Sequence, residues 1–448
     1  MAARRVRTPA TITAGILLLA ATTSTAVAGA DVARATGVAA VDDRGVAAVD
    51  DRGVAAVDDR GVAVVGPAAG RWHLDDYGSP VTEATYLKPV GAVSVQQSID
   101  GEQRPWMFTI IAGQLYAAWS DQDGPQWLPL GAPPKSEIFA PVGVVTVQDN
   151  LYAPQRPYVF VQTLDGHLWL NWFNGVDWPW LDLGTPPPTK VADGIGVVSV
   201  RNGFGLPQRP YVFVLGVDGH LWLNWWNGGG WQWDDQGTPT DGTLLPYGAR
   251  VGVVNLRLTP EGADWPQAFL LDNQRQVWRN GWDGGRWTWT NHGTPHGMSM
   301  PDSRGLGALA VRDTSEGAAW PHAFVSAYGS VYELSGAGGD WRWVYHSDPV
   351  QFEFLNPVGA VTVQDKPSVG DRPYLFVVDR YGGPVWSNWW AGRSWEWVEQ
   401  AGTDAEMLGY QDSGSAVTIQ DTPESPQRPY VFYWSSSWPR KLMVNWWG

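Results

Sequence analysis

The chain has 448 residues, a formal net charge of −15 and no cysteine. A surface this acidic repels phosphate backbones, which argues against a nucleic-acid partner. Without cysteines the fold cannot be held by disulfide bonds, and the first of the 30 tryptophans is Trp72, so the main core is expected after about residue 70.

The N-terminal segment is typical of an export signal. Arg4, Arg5 and Arg7 precede an apolar run from Ile12 to Ala21, and small residues follow at 26–30. We therefore predict a secretory signal peptide over residues 1–30, an extracellular location, and no membrane insertion after cleavage. A membrane anchor is the alternative, but the apolar run is short for a span.

Residues 31–69 form a low-complexity segment. Within it, residues 37–60 repeat the octad GVAAVDDR three times. This period matches neither a helical heptad nor a propeller blade. We interpret the segment as a flexible or weakly extended spacer, in preference to an adhesive strand motif.

Residues 70–448 contain a sevenfold repeat. Six copies of a Val-Gly-Val-Val-type strand begin 52 to 56 residues apart, from Val90 to Val358, and a seventh ends near residue 419. Each unit has the pattern of four short strands, and radial repetition of such sheets forms a β-propeller. In the third unit the strands are expected over 195–200, 210–217, 220–227 and 230–235, with Asp218-Gly219 as a two-residue hairpin turn.

The two ends of this region complement each other. Trp226 is followed by a further strand beginning at Trp231, whereas Trp447 is followed only by Gly448. Residues 71–76 carry Trp72 at the spacing of Trp231. The sequence therefore predicts an all-β, seven-bladed propeller with four antiparallel strands per blade, closed by an N-terminal strand that completes the last blade.

Aromatic side chains recur at one end of the repeats. A turn at 218–219 would place Tyr211 opposite Trp226, and Trp226 opposite Trp231, in one row across the sheet. Arg209 and Asn224 would lie at the same end. The row and its polar companions recur in blades 2, 6 and 7 as Arg156, Tyr158, Asn171, Phe173, Trp178; Arg372, Tyr374, Asn388, Trp390, Trp395; and Arg428, Tyr430, Asn445, Trp447, Trp72.

Two interpretations of these rows remain open. The rings could fill the wedge between neighbouring blades, or they could form platforms for the apolar face of a sugar, with Asn and Arg bonding its hydroxyls. The rows are lost in blades 1, 4 and 5, whereas the phenylalanine at position 213 recurs in all seven units. This contrast favours a binding role for the rows and a core role for the phenylalanines.

The repeat resembles bacterial seven-bladed propeller lectins of the Photorhabdus type and, more distantly, fungal propeller lectins. The resemblance implies a carbohydrate-binding protein that holds fucose or O-methylated sugars in pockets between blades. It departs from that family at Pro210 and Tyr211 and in the poorly matching blades 4 and 5. The residues that carry it are Arg209, Val212, Phe213, Asp218, Gly219, Leu221, Trp222, Trp225, Trp226, Gly228 and Trp231.

The sequence lacks familiar catalytic motifs. It contains no nucleophile elbow, phosphate loop or His-Glu-x-x-His pattern. A glycosidase needs two converging carboxylates, and acids such as Glu333 have no evident partner. We therefore predict a non-enzymatic lectin without metal or cofactor, with glycans or glycoconjugates as partners. A protein-interaction scaffold and, less favoured, a glycosidase are the alternatives; the sugar and the oligomeric state are left open.

Overall fold

The computed structural model describes residues 55–57, 63–65, 70–82, 86–98, 101–240, 243–336, 340–346, 355–379, 383–400, 414–435 and 438–448. The predicted signal peptide and most of the spacer lie outside these ranges. Within the spacer, two short strands, Ala55–Val57 and Ala63–Val65, pair in antiparallel fashion.

Residues 70–448 form seven four-stranded antiparallel sheets. The chain is a seven-bladed β-propeller, as predicted. The strands of blades 1 to 7, in sheet order, are Leu87–Gln96, Gln103–Ile111, Gln114–Asp121 and Gly124–Gly131; Ile138–Val147, Arg156–Thr163, Leu168–Trp172 and Trp180–Gly184; Val191–Arg201, Gln208–Gly216, Leu221–Trp226 and Trp231–Asp235; Arg250–Arg257, Asp264–Leu271, Val277–Trp282 and Trp287–Gly293; Arg304–Arg312, Ala319–Ala327, Ser330–Ser335 and Arg342–His346; Leu355–Val363, Arg372–Asp379, Trp386–Trp390 and Trp395–Glu399; Ser415–Ile419, Arg428–Trp434, Leu442–Trp447 and Trp72–Gly78. A short 3₁₀ helix, Pro295–Gly297, follows blade 4.

The first strand of each blade lies at the centre of the ring. It contacts the first strand of the next blade, and the first strand of blade 7 contacts that of blade 1. The recurring glycine of this strand permits the close approach: a Cβ added at Gly196 would lie 2.7 Å from a methyl group of Val253 in blade 4. The small, β-branched composition of the motif therefore follows from crowding around the axis.

Neighbouring blades pack through a phenylalanine on one and a tryptophan on the next. Phe160 in blade 2 is fully buried, and its ring meets that of Trp231 in blade 3 edge to face at 5.9 Å. Phe213 and Trp287 repeat the contact at 5.7 Å. Such edge-to-face pairs bury large apolar areas, which confirms the predicted core role of the phenylalanines: Phe108, Phe160, Phe213, Phe269, Phe324, Phe376 and Phe432 are all fully buried.

The N-terminal strand closes the ring in blade 7. Trp72 pairs with Trp447, and backbone hydrogen bonds join Arg71 and Gly448 in both directions, at 3.0 and 3.1 Å. The Trp446 indole N–H donates to Asp75 at 2.8 Å. The predicted closure is confirmed; the strand extends two residues beyond the expected Asp76.

The register between the second and third strands differs from the prediction by one residue. Tyr211 pairs with Trp225, not with Trp226. The hairpin has a three-residue loop, because the Gly216 N–H donates to the carbonyl of His220 and Gly219 takes a φ of +77°. This is a type I turn followed by a left-handed residue, another common hairpin connection. A shift of one residue turns a side chain to the opposite face of the sheet, so Tyr211 does not share a face with Trp226 and Trp231.

Candidate functional site: the pockets between blades

A tyrosine–tryptophan pair projects from four blades toward the following blade. Tyr211 and Trp225 are direct cross-strand neighbours in blade 3, with ring centroids 5.5 Å apart. Both rings are only partly buried. The equivalent pairs, 5.4 to 5.6 Å apart, are Tyr158–Trp172, Tyr374–Trp389 and Tyr430–Trp446.

A pair of tryptophans projects from the opposite face of a blade toward the preceding one. Trp226 is opposite Trp231, as expected, and the two rings meet at 5.8 Å. Trp447 and Trp72 form the same pair in blade 7, at 5.6 Å. Each pocket is therefore built from two blades: a tyrosine–tryptophan wall from one and a tryptophan-pair wall from the next.

The pocket between blades 6 and 7 shows this arrangement most fully. It is a cavity of about 250 Å³. Tyr374 and Trp389 form one wall, and Trp72 and Trp447 form the other. Burial raises the pKa of Tyr374, so its hydroxyl stays protonated at physiological pH. The remaining residues around this cavity include Asp365, Gln427, Arg428 and Pro429.

Arginine–aspartate pairs edge the pockets. Arg428 bonds to Asp421, and its guanidinium lies 5.5 Å from the centroid of the Trp446 ring. Arg156 and Arg372 repeat this arrangement with Asp149 and Asp365. Arg209 differs, because it donates to the carbonyl of Asn227 at 2.9 Å. Of these four arginines, Arg428 lines the cavity between blades 6 and 7.

The four predicted asparagines lie deeper than the aromatic rings. Asn224 is fully buried, and its amide donates to the carbonyl of Gln232 at 3.2 Å. Its Oδ1 has no hydrogen-bond partner among the described residues. Asn171, Asn388 and Asn445 are also fully buried. The asparagines therefore sit beneath the pockets rather than on the open walls.

The register shift divides each predicted row between two pockets. Tyr211 faces blade 4, whereas Trp226, Trp231 and Asn224 face blade 2, so the structure does not bring the expected three-ring row together. The tryptophan beside each tyrosine was missed as a site residue. The missed residues are Trp172, Trp225, Trp389 and Trp446, together with the stacked pair Trp106–Trp119 of blade 1, 4.5 Å apart.

Aromatic rings lie on both sides of four blade interfaces, those between blades 1 and 2, 2 and 3, 3 and 4, and 6 and 7; the cavity described above lies at the last of these. Between blades 1 and 2, Trp106 lies 6.2 Å from Trp178, and Phe173 lies 5.4 Å from Trp178. Between blades 7 and 1, the pair Tyr430–Trp446 faces a blade that has Ser120 where Trp226 stands in blade 3.

The pocket between blades 5 and 6 has a different first wall. His322 and Ser335 are cross-strand neighbours where other blades carry tyrosine and tryptophan. The adjacent Glu333 bonds to His322 and, through its other oxygen, to His346 at 3.1 Å. The sequence analysis expected no second carboxylate to pair with Glu333; the partners that the structure shows are two histidines on the neighbouring strands of blade 5, which were not predicted.

The charge of Glu333 follows from these contacts. Burial alone would raise its pKa, but the hydrogen bonds and positive charge of His322 and His346 outweigh burial and lower the pKa from 4.5 to about 2. Glu333 is therefore a buried carboxylate. In the part of the chain that the structure describes, no group of three or more His, Cys, Asp or Glu side chains is arranged to hold a metal ion.

Comparisons with known proteins find solved structures that resemble the chain at low identity and low TM-score. No protein-family model matches the chain, and no curated protein is similar to it. Among solved structures, Aleuria aurantia lectin in complex with α-methyl-L-fucoside is 14% identical, with a TM-score of 0.43, over 71% of this chain and 96% of that one. A mutant of AofleA from Arthrobotrys oligospora is 13% identical, with a TM-score of 0.46, over 64% and 79%. YCF48 bound to a D1 peptide is 10% identical, with a TM-score of 0.43, over 89% and 98%.

Across the described ranges, none of the helical structure has the length and hydropathy that crossing a lipid bilayer requires.

Proposed function

We propose that this protein is a secreted, multivalent lectin whose sugars lie in the pockets between blades. The observation that supports this most directly is the pocket between blades 6 and 7, where four aromatic rings surround a cavity of about 250 Å³. Sugar rings have apolar faces that stack on aromatic side chains, and their hydroxyls need a few well-placed polar groups.

Different residues around this cavity would stack on the sugar and bind its hydroxyls. Trp389 and Trp447, both partly exposed, offer the flat surfaces on which a pyranose can rest. Arg428 and Gln427 line the same cavity and present hydrogen-bond donors. Asn445 lies beneath Trp447 and supports the wall from within. The sequence resemblance to Photorhabdus-type lectins makes fucose-like or O-methylated sugars the first candidates.

The ring repeats this site at several fixed positions. Four blade interfaces carry aromatic rings on both sides, and in this proposal each holds one sugar at a fixed position around the ring. Individual sugar sites are weak, but linked sites raise the overall affinity for a surface of matching glycans by 10²-fold or more. An exported protein with this valency would bind or cross-link glycoconjugates outside the cell.

Binding can be tested by glycan array followed by calorimetry with the best sugar, starting from methyl α-L-fucoside. The double variant Trp225→Ala, Trp389→Ala removes one ring from each of two pockets. We expect the affinity of these two sites to fall about fivefold or more, because each loses a stacking surface worth roughly 1 kcal/mol or more.

The control is Trp438→Ala, a tryptophan that is 60% exposed and lies between the second and third strands of blade 7, outside the pockets. This variant should bind like the unmodified chain. The proposal fails if no glycan binds the unmodified chain, or if the double variant retains full stoichiometry and affinity.

A further inference from the structure

The pocket between blades 5 and 6 keeps one wall of the repeat and replaces the other. Its cavity, about 290 Å³, retains Trp390 and Trp395 from blade 6. The blade 5 wall contains His322, Ser335 and Arg342, which pair directly across three neighbouring strands and so form one row on one face. His322 and Ser335 thus occupy the positions at which blades 2, 3, 6 and 7 carry a tyrosine and a tryptophan.

A buried network holds His322 in a fixed orientation. Its Nδ1 bonds to one oxygen of Glu333, whose side chain is 5% exposed. The other oxygen bonds to Nε2 of His346, which is fully buried. His346 is held in turn by Asn388 of blade 6, with 2.5 Å between Nδ1 and Oδ1, and by stacking on Trp395 at 3.9 Å. The Nε2 of His322 remains available because the carboxylate occupies Nδ1.

Ser335 lies beside this histidine. Direct cross-strand neighbours have Cβ atoms about 4.5 to 5.5 Å apart, a separation that a serine hydroxyl and an imidazole ring can bridge. The Ser335 side chain lines the cavity, and no hydrogen bond to its hydroxyl occurs within the described residues. A serine next to a histidine whose second nitrogen is held by a carboxylate is the arrangement that activates a hydroxyl for nucleophilic attack.

Arg342 completes the row on the other side of Ser335. It lines the same cavity, and among the described residues its guanidinium has no ion-pair partner. A positive group next to the nucleophile can stabilise the oxyanion that forms when an acyl carbon becomes tetrahedral. The row therefore contains a nucleophile, a base and an electrostatic stabiliser in adjacent strands.

We propose that the pocket between blades 5 and 6 is an esterase site that removes acyl groups from glycan hydroxyls. The Ser335 hydroxyl attacks the ester carbonyl carbon, and its proton passes to Nε2 of His322. The bond from the acyl carbon to the sugar oxygen then breaks, and His322 returns the proton to that oxygen. Water attacks the acyl-serine in the same way, releasing a carboxylic acid and restoring Ser335, so that ester and water give alcohol and acid.

The two halves of the substrate meet different walls. Trp390 and Trp395 provide the surface for the alcohol half, and its assignment as a sugar rests on the proposed lectin function. The acyl half faces Ser335 and Arg342, and the chemistry of that half is independent of the alcohol. In this scheme Ser335 and His322 are the catalytic residues, and Glu333 and His346 are positioning residues.

The first test measures hydrolysis of p-nitrophenyl acetate and covalent labelling by a fluorophosphonate, using the full chain. We expect label on Ser335 alone, located by peptide mass spectrometry, and at least a tenfold loss of hydrolysis in Ser335→Ala. Glu333→Gln should lower kcat and change KM little, because it alters the orientation of His322 rather than the pocket walls. Thermal unfolding of each variant verifies that the fold is retained.

The matched control is His220→Gln. His220 also bonds to a carboxylate, Asp235, at 3.0 Å, but it lies in blade 3 outside this pocket, so this variant should hydrolyse the ester at the unmodified rate. The esterase proposal is overturned if the unmodified chain hydrolyses no faster than buffer, or if the label lies elsewhere. Glycan binding without Ser335 labelling defeats this proposal alone, whereas labelling and hydrolysis without glycan binding defeat the lectin proposal alone.

Discussion

At the residue scale, a shift of one residue in the strand pairing changes which side chains line the candidate site. Tyr211 lies against Trp225 rather than Trp226, and that one-residue difference places the two tryptophans in different pockets. Side chains alternate between faces with period two, so an error of one residue in the hairpin transfers every ring to the other side of the blade. The ligand-binding surface is therefore more sensitive to register than the fold is.

A second residue-scale feature is the environment of His292. Its ring lies 4.0 Å from Trp341, and the guanidinium of Arg279 lies 5.1 Å from the same tryptophan. Burial and then the positive charge of Arg279 lower the pKa of His292 from 6.5 to about 4. The folded chain therefore favours the neutral imidazole.

The pH dependence of stability follows from this pKa. Between pH 6.5 and 4 the unfolded chain binds a proton at His292 that the folded chain does not. The contribution of His292 to the free energy of unfolding is therefore complete above pH 6.5 and decreases as the pH falls toward 4. The unfolding free energy, measured in urea, should decrease less between pH 7 and 4.5 for His292→Phe than for the unmodified chain. The exposed His296→Asn is the control, since asparagine tolerates the positive φ of that residue. Equal pH profiles for His292→Phe and the unmodified chain would contradict this account.

At the element scale, the outermost strands join neighbouring blades through indole hydrogen bonds. Trp233, two residues after the pocket residue Trp231, donates to the backbone carbonyl of Leu183 in blade 2 at 3.0 Å. Trp180 and Trp289 make the same bond to Leu130 and Gln236, at 3.1 and 2.7 Å. In these Trp-x-Trp segments the first ring lines a pocket and the second holds the blade to its neighbour.

This division of roles predicts separable effects. Trp233→Phe keeps a large ring but removes the donor to Leu183, so it should lower the unfolding free energy by about 1 kcal/mol and leave sugar binding unchanged. Urea denaturation and calorimetry measure the two quantities. If Trp233→Phe abolished binding without loss of stability, the second tryptophan would belong to the site and not to the joint between blades.

The repeat, the blade number and the closing strand could all be predicted from the sequence, because each depends on residue spacing over about fifty residues. The pocket walls depend on hairpin loop length, which the Asp-Gly signal does not determine. Ala112-Gly113 and Tyr328-Gly329 form two-residue turns with both φ values positive, whereas Gly219 occupies the last position of a three-residue loop. A glycine with positive φ suits both connections. The Glu333 network could not be predicted from the sequence either, since it joins three strands of blade 5 to Asn388 of blade 6.

At the scale of the whole molecule, one strand joins the ends of the ring. Trp72 contacts Trp447 within blade 7 and Phe376 of blade 6, at 5.6 and 5.9 Å. The carbonyl of Tyr77 accepts a hydrogen bond from the indole of Trp127 in blade 1 at 2.8 Å. The strand therefore contributes to two blade interfaces and to the pocket between blades 6 and 7.

Deleting residues 70–80 should lower the unfolding temperature sharply and broaden the transition, because blade 7 then ends in an unpaired edge. Trp72→Ala, which keeps the backbone pairing, should mainly weaken sugar binding in one pocket. Differential scanning calorimetry and glycan binding distinguish the two. If both variants unfold alike and at much lower temperature than the unmodified chain, the role of Trp72 is architectural.

The pairing of the N-terminal strand with the last strand of blade 7 also determines when the ring can close during synthesis. Asp75 and Trp446 are hydrogen-bonded but 371 residues apart in the chain, and a ribosome adding about 5 to 20 residues per second needs roughly 20 to 70 s to make that length. Throughout this interval the early strand has no partner, and the growing arc of blades leaves the apolar face of a blade uncovered at each end. Synthesis of the final strand therefore converts an open arc into a closed ring, so factors that shield unpaired strands and apolar faces during translation should matter more for this chain than for one whose blades are each completed locally.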